Sequence, residues 1–410
     1  MTKPTTELSP KKSINRIHYL DALRGIAVFF IFTANIPYLS GYFFFKNRQT
    51  LPWANFKFDE IFEIILHTLV DGKFYSIFSL LFGIGFAIQY ENLKKQGLPF
   101  KPFFRRRMFW LLIFGGIHLS LIWMGDILTL YAVLGFALLN FVETDNKKLL
   151  KWAVILILLP IFNFILIHFL NLDYALLFFK INGKLNVFFN LPTSEYQGFK
   201  MTDLQAEFQN QNLLTFFKTN ICDLFLRIGF ILYEGRPFKV FGIFLIGIWY
   251  GRQIIHHDLL NNNKLLKKIA LNGILIGLPI SIVRTSLEVT SDGSNIYDLY
   301  ITIVYALGTV PLALGYAGLL ALMYKKRSTI FKWFETVGKM ALTNYIAQST
   351  LSILVFYGIG LGFTGKFGFT FLILYCCLFF IFQIIFSTLW LKKFKTGPLE
   401  WVWRKFTYHK

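Results

Sequence analysis

The stretch IHYLDALRGIAVFFIF (17–32) has the apolar character of a membrane helix, yet its opening turns hold an acid and a base, Asp21 and Arg24. Charge is costly in hydrocarbon, so ionisable groups within membrane helices face a bundle interior or an aqueous cavity, where they pair or act. The rest of the chain extends this pattern. Hydrophobic residues make up 55% of 410 and aromatic residues 19%, while only 16% are charged, against roughly a quarter in a soluble globular chain. This is a membrane composition.

The apolar residues arrive in blocks close to the roughly 20 residues that cross a bilayer. They fall near 18–39, 73–91, 105–122, 126–142, 150–170, 238–254, 268–285, 300–322, 337–358 and 368–390, separated by short polar connections. The expected fold is all-α: a polytopic transmembrane helix bundle of about ten spans, forming a single integral membrane domain over 1–410. Short cytoplasmic loops hold the excess of Lys and Arg. With the N-terminus inside, the inside segments include Lys11, Lys12 and Arg16, Arg105 to Arg107, Lys147 and Lys148, Lys264 and Lys267, Lys325 and Lys326, and Lys392 and Lys393. Both tails, 1–17 and 391–410, are then cytoplasmic, the second carrying the basic and aromatic residues of a headgroup anchor.

The formal net charge of +20 lies where anionic headgroups favour it and calls for no nucleic-acid partner; membrane lipids are the expected partners. The polar N-terminus leads into the first span without a small-residue cleavage pattern, so that span reads as retained rather than as a removed signal peptide. Cys222, Cys376 and Cys377 have neither metal spacing nor a disulfide pattern, and no metal is expected.

Two outer segments interrupt the simple pattern. The connection 171–237 is too long to be structureless; within it, 215–235 reads as an interfacial helix, with a re-entrant helix or an eleventh span as alternatives. The stretch DEIFEIILHTLVDG (59–72) places Ile61, Phe62, Ile65, Leu66 and Leu69 on one side and reads as an amphipathic helix at the outer interface. No internal repeat or inverted pair of interrupted helices is evident, which weakens a transporter reading.

Asp21 and Arg24 share a helix face near its inner end and either lock helix packing or, through the arginine's rigid donor fork, hold an anion. Asn35 lies eleven residues further on, about 16 Å across the membrane, and suits a helix-to-helix hydrogen bond or a donor to substrate. In IHLSLIWMGDIL (117–128), His118 and Asp126 both belong to the outer half. An imidazole steadied by a carboxylate is a competent base, although a lone buried histidine equally serves packing. His67, Asp71, Lys73, Arg227, Glu234, Arg236 and Arg284 fall on the same outer side and either converge on a polar chamber or are ordinary interface charges. Asn344 and Gln348 form an i,i+4 pair suited to packing or to lining a cavity.

The stretches RIHYLDALRGIAVFFIFTANI (16–36), GKFYSIFSLLFGIGFAIQ (72–89), IHLSLIWMGDILTLYAVLG (117–135), VGKMALTNYIAQS (337–349) and GPLEWVWRKFTY (397–408) resemble the YeiB-like bacterial membrane proteins, which carry a domain of unknown function numbered 418. That family is similar in turn to multi-span membrane acyltransferases, including heparan-α-glucosaminide N-acetyltransferases, whose first helix opens with a D-x-x-R-G pattern, here Asp21, Arg24 and Gly25. The resemblance implies a bacterial cytoplasmic (inner) membrane location. It implies acyl transfer from cytosolic acyl-CoA, as cosubstrate rather than tightly bound cofactor, to an extracytoplasmic hydroxyl or amine of a lipid or glycan acceptor. The heparan enzymes use a histidine in the loop after the first helix, and residues 37–56 contain none; that role does not carry over. The expected roles are donor binding by Arg24, proton abstraction by His118 with Asp126, and oxyanion support by Asn35; the alternative is a transporter or flippase for a small amphiphilic or anionic substrate.

Overall fold

The computed structural model describes residues 16–44, 51–196 and 198–408; of the expected N-terminal tail, 1–15 lie outside the described residues. Every expected span is helical: α1 (His18–Leu39), α3 (Lys73–Lys95), α4 (Phe100–Leu121), α5 (Leu128–Leu138), α6 (Asn146–His168), α10 (Arg236–His256), α11 (Asn263–Thr290), α12 (Asn295–Lys326), α14 (Ala341–Phe356) and α15 (Phe369–Lys393). Among the described residues, seven helical segments are long and apolar enough to cross a membrane. The remaining three fall short for visible reasons: α4 carries Lys101, Arg105, Arg106 and Arg107, and α5 and α14 have only 11 and 16 residues. Successive members of the bundle alternate in direction between a proximal face, where α1 begins, and a distal face, where it ends.

Shorter elements cover the two faces. On the proximal side α13 (Ser328–Lys339) lies beside the start of α1, and α16 (Pro398–Tyr408) packs on α4 and α14. On the distal side come α2 (Phe56–Ile65) with a π turn over Leu66–Val70, then α7 (Leu176–Phe188), the hairpin β1 (Thr193–Tyr196) and β2 (Phe199–Thr202), α8 (Leu204–Gln209) and α9 (Leu213–Tyr233). The 171–237 segment is thus a folded cap. Asn182 and Asn186 of α7, Thr202 of β2 and Asp223 of α9 join in one buried hydrogen-bond network that ties its parts together. α9 itself is a single unbroken helix. In α2 the apolar Ile61, Ile64 and Ile65, and Leu69 in the π turn after it, stay exposed, as suits a helix lying at an apolar interface. Its buried Asp59 accepts hydrogen bonds from the Thr370 backbone N–H and hydroxyl (both 2.6 Å), capping the first turn of α15.

Small residues let the helices meet. In lipid there is little hydrophobic drive between helices, so association relies on close packing at glycines. Gly83 of α3 faces Gly247 of α10, and Gly273 of α11 lies against Gly315 of α12. Gly25 of α1 and Gly338 of α13 are in reciprocal contact: a Cβ on Gly25 would fall 2.0 Å from the Phe334 carbonyl oxygen, and one on Gly338 would fall 1.9 Å from that of Asp21. The second glycine therefore holds α13 against the very turn that carries the opening charges. Gly338→Ala is expected to lower the thermal stability of the purified protein by about 1–3 kcal/mol through forced separation of α1 and α13. Gly116→Ala, with nothing near its added methyl, is expected to leave stability unchanged; tryptophan-fluorescence melts in detergent compare the two, and equal melting temperatures would contradict the packing argument.

Candidate functional site

The helix directions bring one cavity of about 550 Å³ into the bundle, lined from the proximal turn of α1 at Arg24 to the distal turns of α3, α10 and α12 at Asp71, Arg236 and Tyr305. Its proximal end is basic. Asp21 accepts from Arg16 Nε (2.5 Å) and from Arg24 Nη1 (3.0 Å), so the carboxylate is shared by two cations and Arg24 keeps donors free toward the cavity. Arg107 of α4 stacks on the Trp403 ring of α16 at 4.0 Å, while the Trp403 indole N–H donates to the Arg107 carbonyl (3.1 Å). Glu400 accepts from the backbone N–H groups of Leu342 (2.7 Å) and Thr343 (3.1 Å) and so caps α14. The tail at 391–410, expected as an anchor, thereby supplies two walls of the cavity.

The middle of the cavity is apolar and aromatic. Phe30 and Phe74 stack at 4.1 Å, Phe82 and Phe244 at 4.5 Å, and Phe78, Leu81, Met108 and Trp123 complete the waist. Asn35 lines the cavity beyond it.

The distal end is polar again. Arg284 Nη2 pairs with Asp71 (2.7 Å) and with Glu288 (2.7 Å), and Arg236 Nε donates to Glu234 (2.7 Å). The Tyr305 hydroxyl donates to that of Tyr75 (3.2 Å). Behind these tyrosines the Lys239 ammonium donates to the Tyr305 carbonyl (3.2 Å) and sits 3.3 Å from its ring centroid. Lys73 is fully buried and donates to the His67 carbonyl (3.0 Å).

His118 and Asp126 do meet, although a helix end and a turn separate them. Nδ1–H of His118 donates to Asp126 Oδ1 (3.0 Å), and Asp126 also accepts from the backbone N–H groups of Leu128 (3.1 Å) and Thr129 (2.7 Å) at the start of α5. The carboxylate is therefore oriented, and as the acceptor from Nδ1–H it fixes the tautomer that leaves Nε2 as the acceptor. Nε2 is buried and, among the described residues, has no hydrogen-bond partner. The pair does not line the cavity: Gly125, Ile127 and Tyr345 do, with the Tyr345 ring centroid 5.2 Å from the imidazole. One layer of wall separates the dyad from the cavity.

Of the other sequence candidates, Arg24, Asn35, Arg227, Glu234 and Arg236 line the cavity, and Arg284 reaches it through Asp71. Asp21 lies behind Arg24. His67 stands 3.8 Å from Glu288, outside the lining. Asn344 and Gln348 also lie outside it, because their amides already serve the α14–α15 contact: Asn344 Nδ2 donates to Ser387 Oγ (3.0 Å) and Gln348 Nε2 to Gln383 Oε1 (2.9 Å). Sequence reasoning missed Tyr75, Arg107, Lys239, Tyr305, Glu207, Glu400 and Trp403. Lys239 carried a usable signal: a lysine at the outer end of an apolar span runs against the inside excess of positive charge.

Together, helices long and apolar enough for a bilayer and a polar-ended internal cavity define a membrane-type helical protein with a ligand-sized interior. The chain is 31% identical to an uncharacterized protein YxaH of Bacillus subtilis (strain 168), over 98% of this chain and 97% of that one. It is 24% identical to the uncharacterized protein YeiB of Escherichia coli (strain K12), over 95% of each chain. Residues 250–410 match the family described as "Protein of unknown function (DUF418)". The chain belongs to this YeiB-like DUF418 family. No solved structure matches it.

Removing one member of a buried, hydrogen-bonded pair strands the other. His118→Ala and Asp126→Ala are each expected to cost about 3 kcal/mol or more of stability. The double variant should recover part of the summed loss, a coupling on the order of 1 kcal/mol or more. Thermal melts of the four proteins measure the coupling; strict additivity would show that the pair contributes nothing as a pair.

Proposed function

We propose that this protein is a ten-span acyltransferase of the bacterial cytoplasmic membrane with its proximal face and both tails in the cytoplasm. The observation that carries the reading is the single cavity joining cationic ends through an apolar waist. A cytosolic acyl-CoA places its phosphates against Arg24 and Arg107, whose guanidinium forks suit phosphate oxygens, and extends its acyl-pantetheine arm along the waist. At the distal end a hydroxyl or amine of a lipid or glycan acceptor attacks the thioester carbonyl. The acceptor's proton passes to His118 Nε2, with Asp126 supporting the imidazolium. The C–O or C–N bond forms first and the carbonyl oxygen becomes an oxyanion; as this intermediate collapses the C–S bond breaks, and the imidazolium returns the proton to the sulfur so that CoA leaves as the thiol. Asn35 donates to the oxyanion. The Trp123–Ile127 segment both covers the dyad and walls the cavity, so the proton transfer requires that segment to open.

A second reading, transport of a small anionic amphiphile, rests on Glu207. This carboxyl lines the cavity from α8, and burial beside the Asp223 carboxylate pushes it well above the usual range, as a proton-carrying group requires.

Binding of acetyl-CoA and longer acyl-CoAs to the protein in lipid nanodiscs separates the two. Saturable binding is expected, weakened about tenfold or more in Arg24→Ala through loss of a charge-assisted contact. His118→Ala is expected to retain binding but to lose transfer of a radiolabelled acyl group to membrane lipid or glycan. Absence of acyl-CoA binding by folded protein would overturn the transferase reading and favour transport.

A further inference from the structure

The distal end of the cavity holds more positive charge than its own carboxylates neutralise. Lys73, Arg227, Arg236, Lys239 and Arg284 come together there from four different helices, against Asp71, Glu234 and Glu288 and Glu207 of the cap, whose carboxyl is pushed well above the usual range by burial. Arg284 takes both Asp71 and Glu288, and Arg236 takes Glu234. Among the described residues, Lys73, Lys239 and Arg227 have no carboxylate in ion-pair contact. Each is bound instead to a backbone carbonyl, of His67, Tyr305 and Asp126 respectively. The side-chain oxygens of Asp126 are engaged by His118 and two backbone amides, so Asp126 meets Arg227 through its backbone carbonyl.

These groups are not surface charges dispersed in water. Lys73 is 0% and Lys239 2% exposed, and Arg227 Nε is buried without a hydrogen-bond partner among the described residues. A buried cation without a counter-ion is strongly unfavourable unless something completes its shell. The two lysines lie one layer behind the cavity wall, and at its surface the Arg227 and Arg236 guanidiniums and the Tyr75 hydroxyl, which accepts from Tyr305 and keeps its own proton to donate, offer directed donors. Donors of this number converging on one spot suit a tetrahedral anion, which accepts more hydrogen bonds than a carboxylate and carries up to two charges.

We infer that this distal chamber binds a phosphate ester, and that the acceptor of the proposed transfer reaction is a phosphate-bearing molecule. The identity of the ligand as acceptor rests on the transferase reading; the anion site does not. The aromatic waist beside the chamber accommodates an adjoining apolar portion. The phosphate comes either from a phospholipid headgroup or from a water-soluble phosphorylated polyol.

The test is calorimetric titration of the full-length protein in neutral detergent with dihexanoyl-phosphatidylglycerol, glycerol 1-phosphate, and uncharged dihexanoylglycerol. Saturable binding of one or both phosphate probes with none of the uncharged analogue is expected. Preference for the short-chain lipid assigns a headgroup, and equal binding of glycerol 1-phosphate assigns a soluble polyol phosphate. Arg227→Gln and Arg236→Gln should each weaken binding about tenfold or more through loss of a charge-assisted contact, with Arg236→Lys intermediate and the exposed Lys148→Gln unchanged. Equal binding of charged and uncharged probes by the unaltered protein, or no binding of either phosphate, would overturn the inference without recourse to variants. So would phosphate binding abolished by Arg24→Ala but not by the distal variants, which would place it at the proximal end. Acyl-CoA binding, measured on the same preparations, reports separately on the transferase reading: its loss with phosphate binding intact defeats that reading alone.

Discussion

The expense of an unpaired charge in a low-dielectric interior organises this molecule. Asp21 is answered by two arginines, Asp71 and Glu288 share Arg284, and Asp126 is enclosed by an imidazole and two backbone amides. Each pairing joins elements remote in sequence or fixes a helix terminus. Glu400, from the last helix, caps α14, and Asp59, from the amphipathic α2, caps α15. Carboxylates at helix starts are favoured by the helix dipole and by the free amides there, so the scarce acids of the chain act as connectors between layers.

Close glycine contacts supply the complementary constraint. Pairing at Gly25 and Gly338, or at Gly83 and Gly247, sets backbones near enough that side chains elsewhere cannot fill the bundle uniformly. The remaining space collects where aromatic rings from α1, α3 and α4 face one another and forms the waist of the cavity. Tight packing at one set of helix faces thereby leaves an interior volume at another, with charged side chains at its ends. The cavity has distinct ends because the helices alternate in direction: the start of α1 brings Arg24 to one, while the starts of α3 and α10 bring Asp71 and Arg236 to the other.

Chemistry and separation are balanced in this arrangement. The dyad of His118 and Asp126 is preorganised, with the tautomer set by the carboxylate, yet Gly125, Ile127 and Tyr345 stand between it and the cavity. The same short turn that connects α4 to α5 therefore lies between the dyad and the cavity.

The sequence by itself determined the helical class, the positions of the long apolar segments and the presence of charges that required an explanation. These properties are set by local composition and by the length of an apolar run relative to a bilayer. It also marked Arg24, Asn35, Arg227, Glu234 and Arg236, because a polar group inside or beside an apolar run is conspicuous one residue at a time. Only the tertiary structure decided which of them share a space. Asn344 and Gln348 looked equally suited to a cavity, but the α14–α15 crossing turns their amides toward Ser387 and Gln383. The hydroxyls of Tyr75 and Tyr305 meet only because α3 and α12 bring together positions 230 residues apart. Contact between distant residues depends on how helix faces rotate as they pack, and that rotation is fixed by all the neighbours at once.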